Sequence, residues 1–141
     1  MHAYSGPRKL TPTETRLVKQ HLDANPVKGP VGVGDAKGLD ALVARHYEGR
    51  TDLTIYHVEG RQRWHYAQRS QRMIDNATEL TAYPNKPCPP TCTPTKPFSG
   101  HGSGTWGTIA YAVKKGLKVT IYPLDGSQVP SWAEQKQLTL I

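Results

Sequence analysis

The chain is poor in cysteine, short of acid relative to base, and without any long apolar run. Cys88 and Cys92 are its only cysteines in 141 residues, which excludes a small protein built on a disulfide framework. No stretch approaches the roughly 18 consecutive apolar residues of a membrane-spanning helix. No apolar segment near the start has the make-up of a secretory leader. These absences lead to the expectation of a soluble, cytoplasmic protein with no membrane partner. Eleven Asp and Glu residues stand against 18 Lys and Arg, a formal net charge of +7, with a sequence pI near 9.5. That balance suits anionic partners such as nucleotides, nucleic acid or an acidic protein, and equally serves plain solubility.

What is present reads as one α/β domain, a length sufficient for a real core. Ala3 to Arg8 has the character of a short strand ending in a tight turn. Thr11-Pro12-Thr13-Glu14 is a capping box with proline at the first helical position, and Leu17, Val18 and Leu22 mark the buried face of a helix that fails at Asn25-Pro26. Val31 to Gly34 is a second strand, and Asp35 is placed to cap the helix carrying Leu39, Leu42, Val43 and Tyr47. Leu53 to Val58 is β-branched and alternates poorly, which predicts a strand buried on both faces. Arg61 to Asn76 is partly helical, with Trp64, Met73 and Ile74 as apolar anchors, and Thr78 to Tyr83 is a fourth strand. Six prolines between Pro84 and Pro97 exclude regular structure, so residues 84–99 form a projecting loop.

Ser99-Gly-His-Gly-Ser-Gly-Thr-Trp-Gly107 opens the last helix, whose apolar positions Trp106, Ile109, Ala110 and Val113 fall at i, i+3, i+4 and i+7. Ser103 or Thr105 can cap it, and a β-rich run from Val119 to Tyr122 follows. A glycine-rich turn opening a helix leaves unpaired N–H groups at a positive dipole end, which together make an anion site. The Walker pattern is not met, because Thr-Trp follows the last loop glycine where Lys-Ser/Thr is required. Strands and helices alternate almost throughout. That order predicts a Rossmann-like three-layer sandwich with a mostly parallel sheet of about five strands over residues 1–125, and a tail at 126–141 with a short helix around Trp132. Three turns follow strands, at Ser5 to Arg8, Gly34 to Gly38 and Gly100 to Thr105, and would meet at the carboxyl edge of the sheet, where ligands of such folds sit.

Those turns resemble a known superfamily, the Rossmann-like group of Lonely-guy (LOG) phosphoribohydrolases, Smf/DprA DNA-processing proteins, molybdenum-cofactor-carrier-like proteins and SLOG sensor domains. Tyr4-Ser5-Gly6-Pro7-Arg8 looks like the first-strand Gly-Ser-Arg turn. Gly34-Asp35-Ala-Lys-Gly38-Leu-Asp40-Ala-Leu-Val-Ala44 is similar to the Gly-x-Ala-x-Gly-x-Asp-x-x-Ala element. Arg69 to Met73 matches Arg-x-x-x-Met, and Gly102-Ser103-Gly104-Thr105 matches the Gly-x-Gly-Thr phosphate turn. The likeness covers about residues 2–124.

The resemblance implies a nucleotide or nucleotide-derived ligand, held as by a sensor, carrier or sequestering protein; apart from it, the residues lead to the expectation of no cofactor and no metal. It places Ser5, Gly6, Arg8, Gly34, Asp35, Gly38, Asp40, Gly100, Gly102, Ser103, Gly104 and Thr105 around the ligand, and makes Arg69 the arginine near the ribose phosphate and the candidate catalytic residue. It also implies a homodimer. One departure matters. The hydrolases carry Gly-Thr-x-x-Glu, whose glutamate assists departure of the base, and the equivalent residue here is Thr108. A hydroxyl cannot replace a carboxylate in that role, so phosphoribohydrolase activity is an alternative that would need another carboxylate, such as Asp35, Asp40 or Glu59.

Three further patterns carry potential chemistry. Cys88-Pro-Pro-Thr-Cys92 lacks the second close-spaced pair of a structural zinc site, and a thiol pair, free or oxidised, fits it better. Arg61 to Arg72 interleaves four arginines with Trp64, His65 and Tyr66, the composition of a nucleic-acid surface in a Smf/DprA-like module. The competing expectation has Trp64 closing the core. His101 sits in the glycine loop, either facing solvent or donating to a phosphate.

Overall fold

The computed structural model describes residues 1–136. In chain order its elements are β1 (His2–Ser5), α1 (Pro12–Ala24), β2 (Val31–Gly34), α2 (Leu39–His46), β3 (Leu53–Tyr56), α3 (Arg63–Asp75), β4 (Glu79–Ala82), α4 (Gly104–Lys114) and β5 (Lys118–Ile121), followed by a 3-10 turn at Ser131–Lys136. The capping box forms as its residues demand. Thr11 Oγ accepts the Glu14 N–H at 3.1 Å, and the Glu14 carboxylate accepts the Thr11 N–H at 2.9 Å. The helix ends at Asn25, ahead of Pro26. The short turn around Trp132 is also present, while residues 137–141 of the expected tail lie outside the described residues.

All five strands are parallel, in the order β3-β2-β1-β4-β5. Helices α1 and α2 accompany the chain as it steps outward from β1 to β3, and α3 and α4 accompany it back past β1 to β5. Right-handed crossovers in opposite directions require helices on opposite faces. The core is divided accordingly. One cluster joins Val18 and Leu22 of α1 with Leu39 and Val43 of α2 over Tyr4, Val31 and Val33. The other joins Met73 and Ile74 of α3 with Trp106, Ile109 and Ala110 of α4 over Ala3, Leu80, Ala82, Val119 and Ile121. Alternate residues of each strand serve opposite layers, as the pleat requires. The fold is the Rossmann-like three-layer α/β sandwich predicted from the element order.

Two local expectations fail. β3 is not buried on both faces: it is an edge strand, with Thr54 exposed and Ile55 40% exposed. Its β-branched run reflects strand propensity on a half-covered edge, which a fully buried strand shares. Asp35 does not cap α2. The N-cap is Gly38, which offers no side chain, and the Asp35 carboxylate accepts the Val58 N–H at 3.0 Å. The edge placement gives a measurable contrast. Leu22→Ala, at a site 1% exposed, should cost about 2–5 kcal/mol, and Ile55→Ala about 0.5 kcal/mol or less. Urea midpoints at unchanged slope measure both.

Candidate functional site

The carboxyl ends of the strands lie on one edge, and between β1 and β4 the helices diverge to opposite faces and leave a crevice. Whether that crevice suits an anion depends on the helix N-termini around it. At α1, Glu14 folds back over the cap, and Asn85 Nδ2 reaches both Glu14 Oε1 at 3.3 Å and Lys9 O at 3.1 Å. At α2, Asp40 sits in the first turn and accepts the Ala36 N–H at 3.1 Å. At α3, the Gln62 N–H donates to His65 Nδ1 at 2.9 Å. Neither α3 nor α4 has an acidic residue in its first turn, and at α4 the cap Ser103 takes the Trp106 N–H. The N–H groups of Gly104 and Thr105 have no hydrogen-bond partner among the described residues.

The loop before α4 is ordered by its own side chains. Ser103 Oγ accepts the Trp106 N–H at 3.2 Å and makes Ser103 the N-cap. His101 folds back into the loop instead of facing a ligand. Its Nδ1 accepts the Ser103 N–H at 3.0 Å and its Nε2 contacts Pro97 O at 2.7 Å. A carbonyl can only accept and an amide N–H only donate, so these two partners define a neutral imidazole protonated on Nε2. Gly102 has φ +86°, a conformation that disfavours any side chain. A Cβ added at Gly100, Gly102 or Gly104 would meet no protein atom within 4 Å, so the space in front of the loop is open. Trp106 is buried, and its indole N–H donates to Lys86 O at 2.8 Å, which moors the first turn of α4 to the proline-rich segment. Thr108, where the resembling hydrolases carry glutamate, is 2% exposed and donates its hydroxyl to Gly104 O at 2.8 Å. It presents nothing to the crevice.

Arg69 has carboxylates as its nearest partners. It is 9% exposed, with Nη1 2.8 Å from Asp35 Oδ1 and 3.8 Å from Asp40 Oδ2. Gly34 makes this possible, because a Cβ there would lie 2.2 Å from Arg69 Nη1 and 2.6 Å from Asp40 Oδ2. The Asp35 carboxylate is held in turn by the Val58 N–H, with His57 Nδ1 at 3.5 Å. Burial pushes the Asp40 carboxyl up to about 6, against the opposing pull of Arg69 and the Ala36 N–H. This ion cluster is not visible in the chain beyond residue types, since Asp35 lies in the turn after β2, Asp40 on α2 and Arg69 on α3.

Of the other expected residues, Ser5 is buried at the end of β1, and Gly6 lies against Leu39. Pro7 O accepts the Leu39 N–H at 3.0 Å, which ties the first two turns together beside Gly38. Arg8 is exposed and lies 4.8 Å over the Tyr66 ring. Trp64 does not close the core. It is 57% exposed, with its ring 3.8 Å from that of His65, and Tyr66 is 41% exposed. The core indole is Trp106. The spacing of α3 puts Trp64 off the face that carries Met73 and Ile74, a signal that helical phase alone contains.

The expected residues thus form two groups at one edge: Gly100 to Thr105 before α4, and Asp35, Asp40 and Arg69 beside β2, with the β1 turn fastened to α2 by the Pro7–Leu39 bond. A depression of about 620 Å³ lies at the opposite, amino edge, lined by His2, Asn25, Gly29, Glu79 and Lys118 among others. Among the described residues no helix begins at that edge, so it lacks the directed amides that the α4 terminus supplies. Among the described residues no group of three or more His, Cys, Asp or Glu side chains is placed to hold a metal ion, and no helix is long and apolar enough to cross a membrane. No family model, curated protein or solved structure matches the chain.

The Asp40 carboxyl makes stability depend on pH with a definite sign. A group that titrates near 6 when folded and near 3.8 in its ordinary state binds protons more tightly in the folded protein, so its share of stability rises as pH falls through this range. Between pH 7 and pH 5 that share is about 1 kcal/mol. Asp40→Asn should remove it, so the variant should gain about 1 kcal/mol less than wild type on acidification, by urea unfolding at the two pH values. An unchanged difference would show that Asp40 titrates normally.

Proposed function

We propose that this protein binds a nucleotide or nucleotide-derived ligand through its phosphate, at the N-terminus of α4 in the crevice between β1 and β4. The observation that carries this reading is the α4 terminus itself. Its Gly104 and Thr105 N–H groups have no partner among the described residues, its first turn carries no acid, and the space in front of Gly100, Gly102 and Gly104 is open, the arrangement that favours an anion. Arg8 adds an exposed cation at the β1 turn, and Tyr66 beneath it adds an aromatic face on which a base can stack. The likeness of Gly102 to Thr105 to the phosphate turn of the LOG and Smf/DprA superfamily agrees with this site. Binding is favoured over base release because the Thr108 hydroxyl is buried and spent on Gly104 O. Arg69 acts here as a positioning residue, holding Asp35 and the end of β2 in place.

One observation favours a second reading. Trp64 and Tyr66 are exposed on a helix preceded and flanked by Arg61, Arg63 and Arg72, and stacked aromatics with arginines suit single-stranded nucleic acid. The two readings separate on salt and length: nucleic-acid affinity falls steeply with salt and rises with oligonucleotide length, and a mononucleotide pocket shows neither strongly.

Thermal unfolding against nucleoside monophosphates, cyclic nucleotides, NAD, ADP-ribose and short single-stranded DNA tests the proposal directly. A ligand at 100 times its Kd adds about 2.7 kcal/mol, which is several degrees for a domain of this size. Gly104→Asp separates binding from folding. The added side chain meets open space and an acid in the first turn stabilises a helix by about 0.3–1 kcal/mol. The variant should therefore unfold at or slightly above the wild-type temperature and lose the ligand-induced shift. An equal shift in this variant would remove the α4 terminus from the site.

A further inference from the structure

The proline-rich segment holds two thiols that the proposed binding function leaves without a role. Cys92 is 1% exposed, Cys88 is half-buried, and both are free. Pro89 and Pro90 fix φ at two of the three residues between them. The turn is closed by the Cys92 N–H donating to Pro89 O at 3.0 Å. It folds Cys88 Sγ back over the turn, 3.5 Å from Pro89 O and 3.8 Å from Cys92 O, so the Cys88 sulfur lies against the backbone of Cys92. A surface depression of about 460 Å³ opens onto the pair, walled by Pro89, Val129, Pro130 and Trp132. A small reagent can therefore reach Cys88 while Cys92 waits behind it.

The pair is also wired to the glycine loop. Cys92 Sγ contacts Pro97 O at 3.6 Å, and the same carbonyl accepts His101 Nε2–H at 2.7 Å. His101 Nδ1 in turn holds the Ser103 N–H, and Ser103 Oγ caps α4. We propose that Cys88 and Cys92 form a reversible disulfide with a low-molecular-weight disulfide as oxidant, and that its formation resets His101 and the loop before α4. The consequence for ligand affinity rests on the binding site proposed above, whereas the disulfide and the response of His101 do not.

The exchange takes two steps. The Cys88 thiolate attacks one sulfur of the small disulfide, breaking its S–S bond and releasing one thiol. The Cys92 thiolate then attacks Cys88 Sγ in the mixed disulfide, which forms the internal bond and releases the second thiol. The two cysteines lose two electrons together, the small disulfide gains them, and the two protons leave on the released thiols. Closing the bond takes Cys92 Sγ from its present contacts to about 2.05 Å from Cys88 Sγ and removes the S–H that points at Pro97 O. Burial pushes both thiols up, Cys92 to about 12, so exchange should be slow at neutral pH and quicken as pH rises.

The test incubates the full chain with oxidised glutathione at mildly alkaline pH, then reads intact mass and the His101 side-chain resonances. Wild type should lose two hydrogens without retaining glutathione, and its His101 resonances should shift and return on reduction. Cys92→Ser should keep a glutathione adduct on Cys88, and Cys88→Ser should remain unmodified with His101 unmoved. Two free thiols in wild type, or a lasting adduct in place of the internal bond, would overturn the disulfide. An unmoved His101 in the oxidised protein would overturn the link to the loop. Titration with inorganic phosphate completes the comparison: oxidised protein should bind it more weakly than reduced. If His101 moves but neither form binds phosphate, it is the binding site that fails.

Discussion

Right-handed crossovers between parallel strands can place helices on both faces of a sheet only where the strand order reverses, and here it reverses between β1 and β4. That constraint produces the two core layers, the crevice, and the direction of every helix terminus at the carboxyl edge. It also explains why an anion site is expected at this edge and not at the opposite depression beside His2 and Lys118. At the amino edge helices end, and they turn carbonyls and not amides toward a visitor.

Charge at the edge is distributed by what each turn must satisfy. The termini of α1 and α2 carry the acids Glu14 and Asp40, whereas α3 is ordered by His65 and α4 by Ser103 and His101. The strongest cation in the interior, Arg69, is balanced by Asp35 and lies close to Asp40. An arginine this buried needs such partners, because desolvation of an unpaired guanidinium is costly. Gly34 supplies the room, and the partly protonatable Asp40 beneath it makes the cluster sensitive to pH. The proposed site would offer an anion the exposed Arg8 and the Gly104 and Thr105 amides of α4.

The proline-rich segment is less a projecting loop than a brace. Asn85 reaches Lys9 and Glu14 at the start of α1, Pro84 O accepts the Leu124 N–H at 2.7 Å, and Lys86 O holds the Trp106 indole. Prolines suit this use because they present carbonyls without demanding partners for N–H groups. Pro97 O, shared by Cys92 and His101, is the clearest instance. The segment thereby joins the thiol pair to the helix cap.

Much of the fold was legible in the chain before folding, because its signals are local. The Thr11–Glu14 box, Asn25-Pro26, the alternation of β-branched runs with helical periods, and the capped glycine turn before Trp106 each depend on residues within a turn of one another. The three glycine turns were placed at one edge by element order alone. The partners of Arg69, the exposure of Trp64 and Ile55, and the inward fold of His101 were not legible in the same way. Each depends on which element lies beside which, and strand order is set by packing and crossover handedness over the whole chain. Sequence alone therefore determined the α/β layering and the presence of a glycine-rich helix entry. Only the tertiary structure decided which charges are spent inside and which helix amides stay unpartnered among the described residues, because pairing across the β2 turn, α2 and α3 requires the folded sheet.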